Sequence, residues 1–324
     1  MNTAFSIMAF FFGLAFGSFL NVCIYRIPLA LPDGPENDDT PALRAMWQNI
    51  GAWRAVAKPA RSYCPQCQAA IRWYDNLPVV GWLALRGRCR DCGGWISFRY
   101  AVVELLTGIL FAACFVRFGM TPETVKFWIF SFLIVGLTFT DADHRLLPDA
   151  FTVPGLFVGF VFSLLVPLND IATTYLPRFL DTWPPERLLS FVDAVIGALA
   201  GAGFILGAGL AYKLVRGREG MGLGDVKLMA MVGAFLGLKL AVFTIFGASI
   251  LGSMFGGGMV LLVWVKRLRR YRHRKPNTRP VRRAWQSAMV ARYYAMPFGV
   301  FLGSMALFSL FFGEAILHWY LSQL

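Results

Sequence analysis

Two aspartates lie where a hydrophobic segment meets a polar turn. Asp141 ends the apolar stretch 125–141, and Asp225 follows the glycine-rich turn 220–224. Ionisable groups at membrane depth are costly and usually functional. Two carboxylates that meet in one water-lined cleft cannot both ionise easily, so one can act as a general base and the other as a general acid. The pair therefore predicts the chemistry of an aspartyl protease.

The first motif contains three aspartates, Asp141, Asp143 and Asp149, and its chemistry alone does not choose among them. Residues two apart on a helix do not share a face, so Asp141 and Asp143 cannot both point at one partner. Pro148 disfavours a helical conformation at the residue before it, which places Asp149 beyond a break. For Asp143 and Asp149 we favour helix capping and an interfacial turn. For Asp141 the alternative to catalysis is a charge pair with an Arg or Lys.

Glycines precede the second aspartate. Gly222 and Gly224 permit a tight, non-helical backbone beside Asp225. Irregular backbone is tolerated at membrane depth only where it lines a protein or water-filled cleft. We therefore expect a cleft at Asp225 that can admit an extended peptide.

Four of the six cysteines form two Cys-x-x-Cys pairs, Cys64 with Cys67 and Cys89 with Cys92, separated by 21 residues. Each turn offers two thiolates, and two such turns close a tetrahedral zinc site. Four thiolates leave no coordination position open, so the metal is expected to be structural. Disulfides are the alternative, but the topology given below places these cysteines on the reducing side of the membrane, where stable disulfides are rare.

The composition is that of a polytopic membrane protein, since 57% of the 324 residues are hydrophobic and only 15% are charged. A membrane span needs roughly 20 apolar residues. Eight segments are candidates, the sixth being short: 4–25, 100–118, 125–141, 150–167, 190–213, 226–238, 240–265 and 294–320. The predicted fold is an all-α bundle of about eight transmembrane helices, with a small cytoplasmic zinc-binding domain between helices 1 and 2.

Lys and Arg residues near the span ends give the orientation. No basic residue precedes Arg26, so the first span should have its N-terminus outside. Alternation then puts 26 of the 31 basic residues in cytoplasmic loops, mainly in 26–99 and in the basic loop 266–292. The net charge of +13 is thus mostly a topology signal, with anionic lipid headgroups as neighbours. Nucleic-acid binding is not expected, because no base-stacking aromatics interleave with the basic runs.

Three regions follow from this threading. Residues 1–25 form the first transmembrane helix, 26–99 a cytoplasmic zinc-ribbon-like domain, and 100–324 a membrane domain that carries the aspartates and the basic loop. Within the second region, 42–57 has the composition of a short amphipathic helix. We expect this helix to lie on the membrane surface through Trp47 and Trp53.

A series of short motifs runs through most of the chain in a fixed order. They are 17–22 and 25–28 around the end of the first span, 75–78 between the cysteine pairs, 99–105 at the start of the second span, the two aspartate motifs, Lys227 and 297–299. Each motif alone is weak, but in this order and spacing the chain resembles the type IV prepilin leader peptidases. These are bifunctional peptidase and N-methyltransferase enzymes of pilus assembly and type II secretion.

The resemblance implies that Asp141 and Asp225 are the catalytic pair. It further implies a prepilin or pseudopilin substrate with a short basic leader, cut just inside the bacterial inner membrane after a Gly. The second activity of the family would methylate the new N-terminal residue, often Phe, with S-adenosylmethionine. Nothing in the residues themselves predicts methylation, because the Gly-rich strand-to-helix loop of soluble methyltransferases is missing.

Six residues are candidates for binding substrate or methyl donor: Gly17, Asn21, Arg26, Gly222, Gly224 and Lys227. For Gly17 and Asn21, helix packing and interhelical hydrogen bonding is the alternative. Other functions are a peptidase that lacks methyltransferase activity, a non-enzymatic membrane scaffold, or a transporter. A transporter should show paired broken helices in two related halves, and we find no such halves.

Overall fold

The structure is a computed structural model that describes residues 2–31, 51–57, 61–168, 170–178, 185–217, 220–274 and 297–323. Regular structure in these residues is helical, apart from two isolated β-bridges that join Tyr63 to Ala70 and Arg88 to Trp95. Trp47 and the basic stretch 275–292 lie outside the described residues.

Eleven α-helices are described within these ranges. They are α1 Asn2–Leu29, α2 Trp53–Ala57, α3 Val80–Ala84, α4 Arg99–Phe118, α5 Pro122–His144, α6 Asp149–Leu165, α7 Ile171–Tyr175, α8 Glu186–Arg216, α9 Leu223–Arg274, α10 Phe298–Phe308 and α11 Glu314–Leu321. A short 3-10 helix, Leu176–Arg178, follows α7, and a π-helical segment, Ser309–Gly313, joins α10 to α11.

Six helices of the described ranges are long and apolar enough to cross a membrane: Thr3–Leu29, Arg99–Phe118, Pro122–His144, Glu186–Arg216, Leu223–Arg269 and Phe298–Leu321. A seventh apolar helix, Asp149–Leu165, is shorter. The chain is therefore a multi-pass membrane protein. Most of the described residues of the eight predicted apolar segments lie in these helices, and α9 contains both the sixth and the seventh.

Helix α9 is broken at Gly237, which has φ 80° and ψ 180°. That backbone conformation strongly favours glycine. Gly201 of α8 packs against Met229, and Phe204, three residues further on, has its ring centroid 5.9 Å from that of Phe246. Residues 229 and 246 would lie roughly 25 Å apart on a straight helix. The chain therefore reverses at Gly237, and α9 consists of two adjacent arms, 223–236 and 238–274.

Glycines allow α8 and the first arm of α9 to approach closely. A Cβ atom at Gly197 would collide with the backbone at Gly233, and one at Gly233 with the backbone at Gly197. Small residues at such crossings let membrane helices make backbone contact. Gly203 and Gly207, a second pair of glycines four residues apart on α8, have no atom within 4 Å of their Cβ positions among the described residues.

Helix α2 packs against the helix bundle. The indole N–H of Trp53 donates to the carbonyl of Ala150 at 2.7 Å, and its ring centroid lies 5.4 Å from that of Phe151. Trp53 therefore anchors this segment to the start of α6. These contacts are with protein, and the membrane-surface position expected for Trp53 stays a prediction.

Candidate active site and cysteine cluster

Asp141 and Asp225 lie at the same end of the bundle. Asp141 belongs to the last turn of α5, which ends at Arg145 in the left-handed conformation with φ 55°, and Asp225 belongs to the first turn of α9. The two carboxylates are close enough for the charge of Asp141 to act on Asp225. Asp141 is 5% exposed and Asp225 is half-buried. The structure thus brings together the two aspartates that the sequence singles out.

The start of α10 holds the Asp141 carboxylate. The backbone N–H of Val300 donates to Asp141 Oδ2 at 3.0 Å, across 159 residues of sequence. A Cβ atom at Gly299 would lie 2.8 Å from the same oxygen, so only glycine leaves room for the carboxylate there. Donors at a helix N-terminus favour a carboxylate. Val300 and Gly299 are therefore site residues that the sequence analysis did not assign.

The two glycines before Asp225 differ in their surroundings. Gly222 lies in the turn before α9, as expected for irregular backbone, whereas Gly224 is already helical, and neither has a positive φ. A Cβ at Gly224 would lie 2.9 Å from the Cβ of Leu147. Gly224 therefore serves a close approach between the Asp225 helix and the turn after α5, not the special backbone predicted for it.

Asp149 and Lys227 form an ion pair beside the two aspartates. The ammonium of Lys227 lies 2.7 and 2.8 Å from the two carboxylate oxygens of Asp149, which is 7% exposed. Asp149 is the first residue of α6, yet that helix has no side-chain cap, so the capping role predicted for Asp149 is wrong. The pair instead ties the start of α6 to the first turn of α9.

Asp143 faces a different neighbour from Asp141. Its carboxylate pairs with Arg99 at the start of α4, whereas Asp141 faces α10. Asp141 and Asp143 therefore point to different partners, as their spacing of two predicts. The capping role predicted for Asp143 is replaced by an ion pair between α4 and α5.

The four cysteines of the two pairs converge. Their sulfurs all lie within 4.8 Å of one another, with 3.9 Å between Cys64 and Cys92 and 4.0 Å between Cys67 and Cys89. Four thiolates around a zinc ion with bonds of 2.3 Å would stand about 3.8 Å apart. None of the four is in a disulfide. The cluster therefore fits a tetrahedral metal ion.

The two cysteine turns repeat the same hydrogen bonds 25 residues apart. The N–H of Cys64 donates to Ala69 O at 2.9 Å, and the N–H of Cys89 donates to Gly94 O at 2.8 Å. The backbone N–H of Cys67 faces the Cys64 sulfur and lowers the pKa of that thiol to about 7. A lowered pKa favours the thiolate that metals bind.

Arg90, in the second cysteine turn, fastens the loop between the pairs. Its guanidinium donates to both oxygens of Asp75 at 2.8 and 2.6 Å. These hydrogen bonds hold the pKa of Asp75 below its usual value. The cysteine cluster and the motif 75–78 therefore form one unit.

A cavity of about 330 Å³ separates this unit from α1 and α4. Asn21 and Arg26, two predicted binding residues, line it, and the Asn21 amide donates to Tyr100 O at 2.9 Å. Arg26 donates to Val56 O at 2.8 Å. Gly17 packs against the backbone of Glu104 instead, so the helix-packing alternative describes it.

Glu104 is a cavity residue that the sequence analysis left without a role. It is 8% exposed and lines the cavity, and its Oε2 accepts the N–H of Val79 at 2.7 Å. An acid within the apolar segment 100–118 is the signal that would have identified it.

Comparisons with known proteins agree with this arrangement. Residues 11–118 match the Bacterial Peptidase A24 N-terminal domain, and residues 127–257 match the Type IV leader peptidase family. A protein of Aeromonas salmonicida named prepilin leader peptidase/N-methyltransferase is 34% identical over 98% of this chain and 94% of its own length. None of the solved structures matches the chain significantly.

Two further relatives carry the same name. One from Myxococcus xanthus is 38% identical over 79% of this chain and 64% of its own length. One from Neisseria gonorrhoeae is 36% identical over 74% of this chain and 77% of its own length. Together with the matched domains, these relatives show that the chain belongs to the type IV leader peptidase family.

Proposed function

We propose that the chain cleaves the leader peptide from prepilins or pseudopilins with Asp141 and Asp225 as its catalytic pair, and that it N-methylates the new N-terminal residue. The observation that carries the proposal is the meeting of these two carboxylates at one end of the bundle. Family membership and the names of the relatives support both activities.

In the proposed cleavage, one carboxylate takes a proton from water as the resulting hydroxide attacks the scissile carbonyl. The other aspartate, protonated as a carboxylic acid, gives its proton to the leaving amine as the C–N bond breaks. The backbone N–H of Val300 keeps Asp141 in place for this exchange. Gly224 and the Lys227–Asp149 pair set the position of the Asp225 turn.

We assign S-adenosylmethionine to the cavity between the cysteine unit and α1. When bound, it supplies the methyl group. The cavity fits such a ligand because it combines aromatic walls, from Trp82, Trp95 and Tyr100, with the charged side chain of Arg26. Of the other candidate binding residues, Gly222, Gly224 and Lys227 belong to the Asp225 end and are proposed to serve the peptidase.

We assign zinc to the cysteine cluster, in a structural role. Two turns with equivalent hydrogen bonds and four convergent sulfurs support this assignment. Such a metal would fold the segment that forms one wall of the cavity. Chelation of the purified protein should therefore abolish methylation before it affects cleavage.

The proposed topology follows from the basic residues. The protein lies in the bacterial inner membrane with its N-terminus outside, and the cysteine domain (26–99) and the basic loop (266–292) face the cytoplasm near anionic lipid headgroups. The region 100–324 is the peptidase domain. Cysteine accessibility to an impermeant reagent, from intact cells and from inverted vesicles, tests this orientation.

The first test is the mass of a prepilin incubated with the purified full-length protein and S-adenosylmethionine. We expect loss of the leader and addition of one methyl group. Asp141→Asn and Asp225→Asn should be inert, whereas Asp143→Asn, a matched change on the same helix, should still cleave.

The possible outcomes separate the alternatives. Cleavage by either Asn variant would refute the proposed pair. Cleavage by the unaltered protein without methylation would leave a peptidase only. Wild-type protein that neither cleaves nor methylates would favour the scaffold or transporter.

A further inference from the structure

The side chain of Asn21 leaves a buried acceptor without a partner. Its Nδ2 donates to Tyr100 O, which fixes the amide orientation and turns Oδ1 away. Oδ1 is buried and accepts no hydrogen bond from any described residue, and Asn21 as a whole is only 3% exposed. An unsatisfied buried polar atom is destabilising. It therefore calls for a ligand or another explanation.

The Glu104 carboxylate lies beside this acceptor. The Ser18 hydroxyl and the Asn21 amide of α1 are both donors to the Glu104 carboxylate of α4, and all three residues line the same cavity. One carboxylate oxygen accepts the Val79 N–H at 2.7 Å. No Lys or Arg of the described ranges forms an ion pair with Glu104. Two acceptors, one of them a carboxylate, thus share one wall.

The backbone next to Glu104 is strained, which indicates that the surrounding structure enforces this arrangement. Val79, whose N–H the carboxylate accepts, has φ 59°. A β-branched residue in the left-handed region is a genuine outlier. Strain of this kind persists where the surrounding structure enforces it, and it clusters at ligand sites.

The two acceptors on this wall of the cavity determine which kind of ligand it can bind. A hydroxyl or amide would satisfy Asn21 but would leave the buried carboxylate without a compensating charge. A primary ammonium donates several hydrogen bonds and carries that charge. The cavity can receive such a group from two sources, namely the N-terminus of a cleaved substrate or the methionyl end of the methyl donor.

The depth of Glu104 along α4 favours the N-terminus of the substrate as the source of the ammonium group. Arg99 of α4 pairs with Asp143 of α5, which sets the two helices level. Glu104 lies five residues, about 7.5 Å, beyond Arg99, and Asp141 lies two residues, about 3 Å, beyond Asp143 in the same direction. A substrate whose apolar helix stays in the bilayer would present its new N-terminus at a similar depth at both sites.

We infer that Asn21 and Glu104 bind the N-terminal amine that leader cleavage releases, and hold it for methylation. The inference rests on the methyltransferase activity proposed above. It assigns the polar wall of the cavity to the substrate and leaves the remaining walls to the methyl donor.

The test is a binding measurement on the full-length protein in detergent, without methyl donor. The probe is a fluorescent peptide with the N-terminal sequence of a mature pilin, compared with the same peptide N-acetylated. Glu104→Gln keeps an acceptor for Val79 but removes the charge, and it should weaken binding of the free-amine peptide about tenfold or more. It should leave the acetylated peptide unchanged. Thr107→Val, a buried change one turn along α4 outside the cavity, is the control.

A second ligand decides whether the bound amine comes from the substrate or from the methyl donor. S-adenosylhomocysteine, which carries the same methionyl ammonium, should bind Glu104→Gln within about twofold of wild type. If its affinity falls while that of the peptide does not, the amine belongs to the methyl donor and the inference is wrong. Equal affinity of wild type and Glu104→Gln for the free-amine peptide also overturns it. Methylation by wild type is measured in parallel, so that failure of the proposed activity is recognised separately.

Discussion

Both ends of the helix bundle bury aspartates, but the partners of these aspartates differ between the two ends. At the end that holds α7, Asp193 is 1% exposed, and its carboxylate accepts hydrogen bonds from Ala172 N, Thr173 N and Thr173 Oγ1 at 2.6, 3.0 and 2.8 Å. At the other end, Asp141 accepts the N–H of Val300, and its charge acts on the carboxylate of Asp225.

The difference separates a structural carboxylate from the proposed catalytic ones. Asp193 accepts three hydrogen bonds that fix α7 on α8, so its role is structural. Asp141 and Asp225 lie within electrostatic range of each other, and two nearby carboxylates favour sharing a proton. Burial alone therefore does not distinguish the proposed catalytic pair from Asp193, whereas the partners of the buried carboxylates do.

The largest expected effect tests this contrast directly. Asp225→Asn should lower the rate of leader cleavage at least about 1,000-fold, because removal of one member of a catalytic pair removes most of its effect. Asp193→Asn should retain cleavage in the fraction that folds. The measurement is single-turnover cleavage of a prepilin by equal amounts of folded protein. Comparable losses in the two variants would contradict the division into structural and reactive ends.

The second prediction concerns stability. Asp193→Asn should lower the free energy of unfolding by about 1.5–3 kcal/mol, since hydrogen bonds to a charged acceptor contribute in that range. Asp225→Asn should leave stability unchanged or raise it, because it removes a like-charge contact. Unfolding in mixed micelles measures both. Glu186→Gln, at an exposed position on the same helix as Asp193, is the control and should have little effect.

The third prediction concerns the turn at Gly237, where Asp170 lies against the glycine and accepts the N–H of Lys239 at 3.2 Å. Gly237→Ala should destabilise the protein by about 1–3 kcal/mol, because its positive φ strains any other residue. Gly258→Ala, in the helical second arm with open space at its Cβ position, should be neutral or slightly stabilising. Equal stability of the two variants would show that the turn at 237 is not fixed by its backbone.

Much of the fold could be predicted from the sequence. Long apolar runs specify membrane helices regardless of their neighbours, and the predicted boundary between 226–238 and 240–265 lies two residues from the break at Gly237. The two cysteine turns were equally predictable, because four ligands at that spacing have few other uses.

The partners of the buried groups were not predictable. The contact of Val300 with Asp141 and that of Val79 with Glu104 join residues 159 and 25 positions apart. Such pairs depend on how helices pack, and neither residue type nor local periodicity encodes them. The capping roles predicted for Asp143 and Asp149 are wrong for the same reason, because both carboxylates form ion pairs with cations that are distant in the sequence.

The smallest expected effect compares one lysine–aspartate pair at each end. Lys227 lies 2.7 Å from Asp149, and Lys239 lies 3.4 Å from Asp170, with both lysines partly exposed. A double-mutant cycle of Lys227→Met and Asp149→Asn should show a coupling of about 0.5–1 kcal/mol in kcat/KM for cleavage. The coupling arises because the pair fixes the first turn of α9, which carries Asp225.

The same cycle at Lys239 and Asp170 should show coupling in stability and not in kcat/KM, because that pair lies at the structural end. Additive effects of Lys227→Met and Asp149→Asn on cleavage would mean that the ion pair does not position Asp225, and the contrast between the two ends would then rest on Asp141 and Asp225 alone.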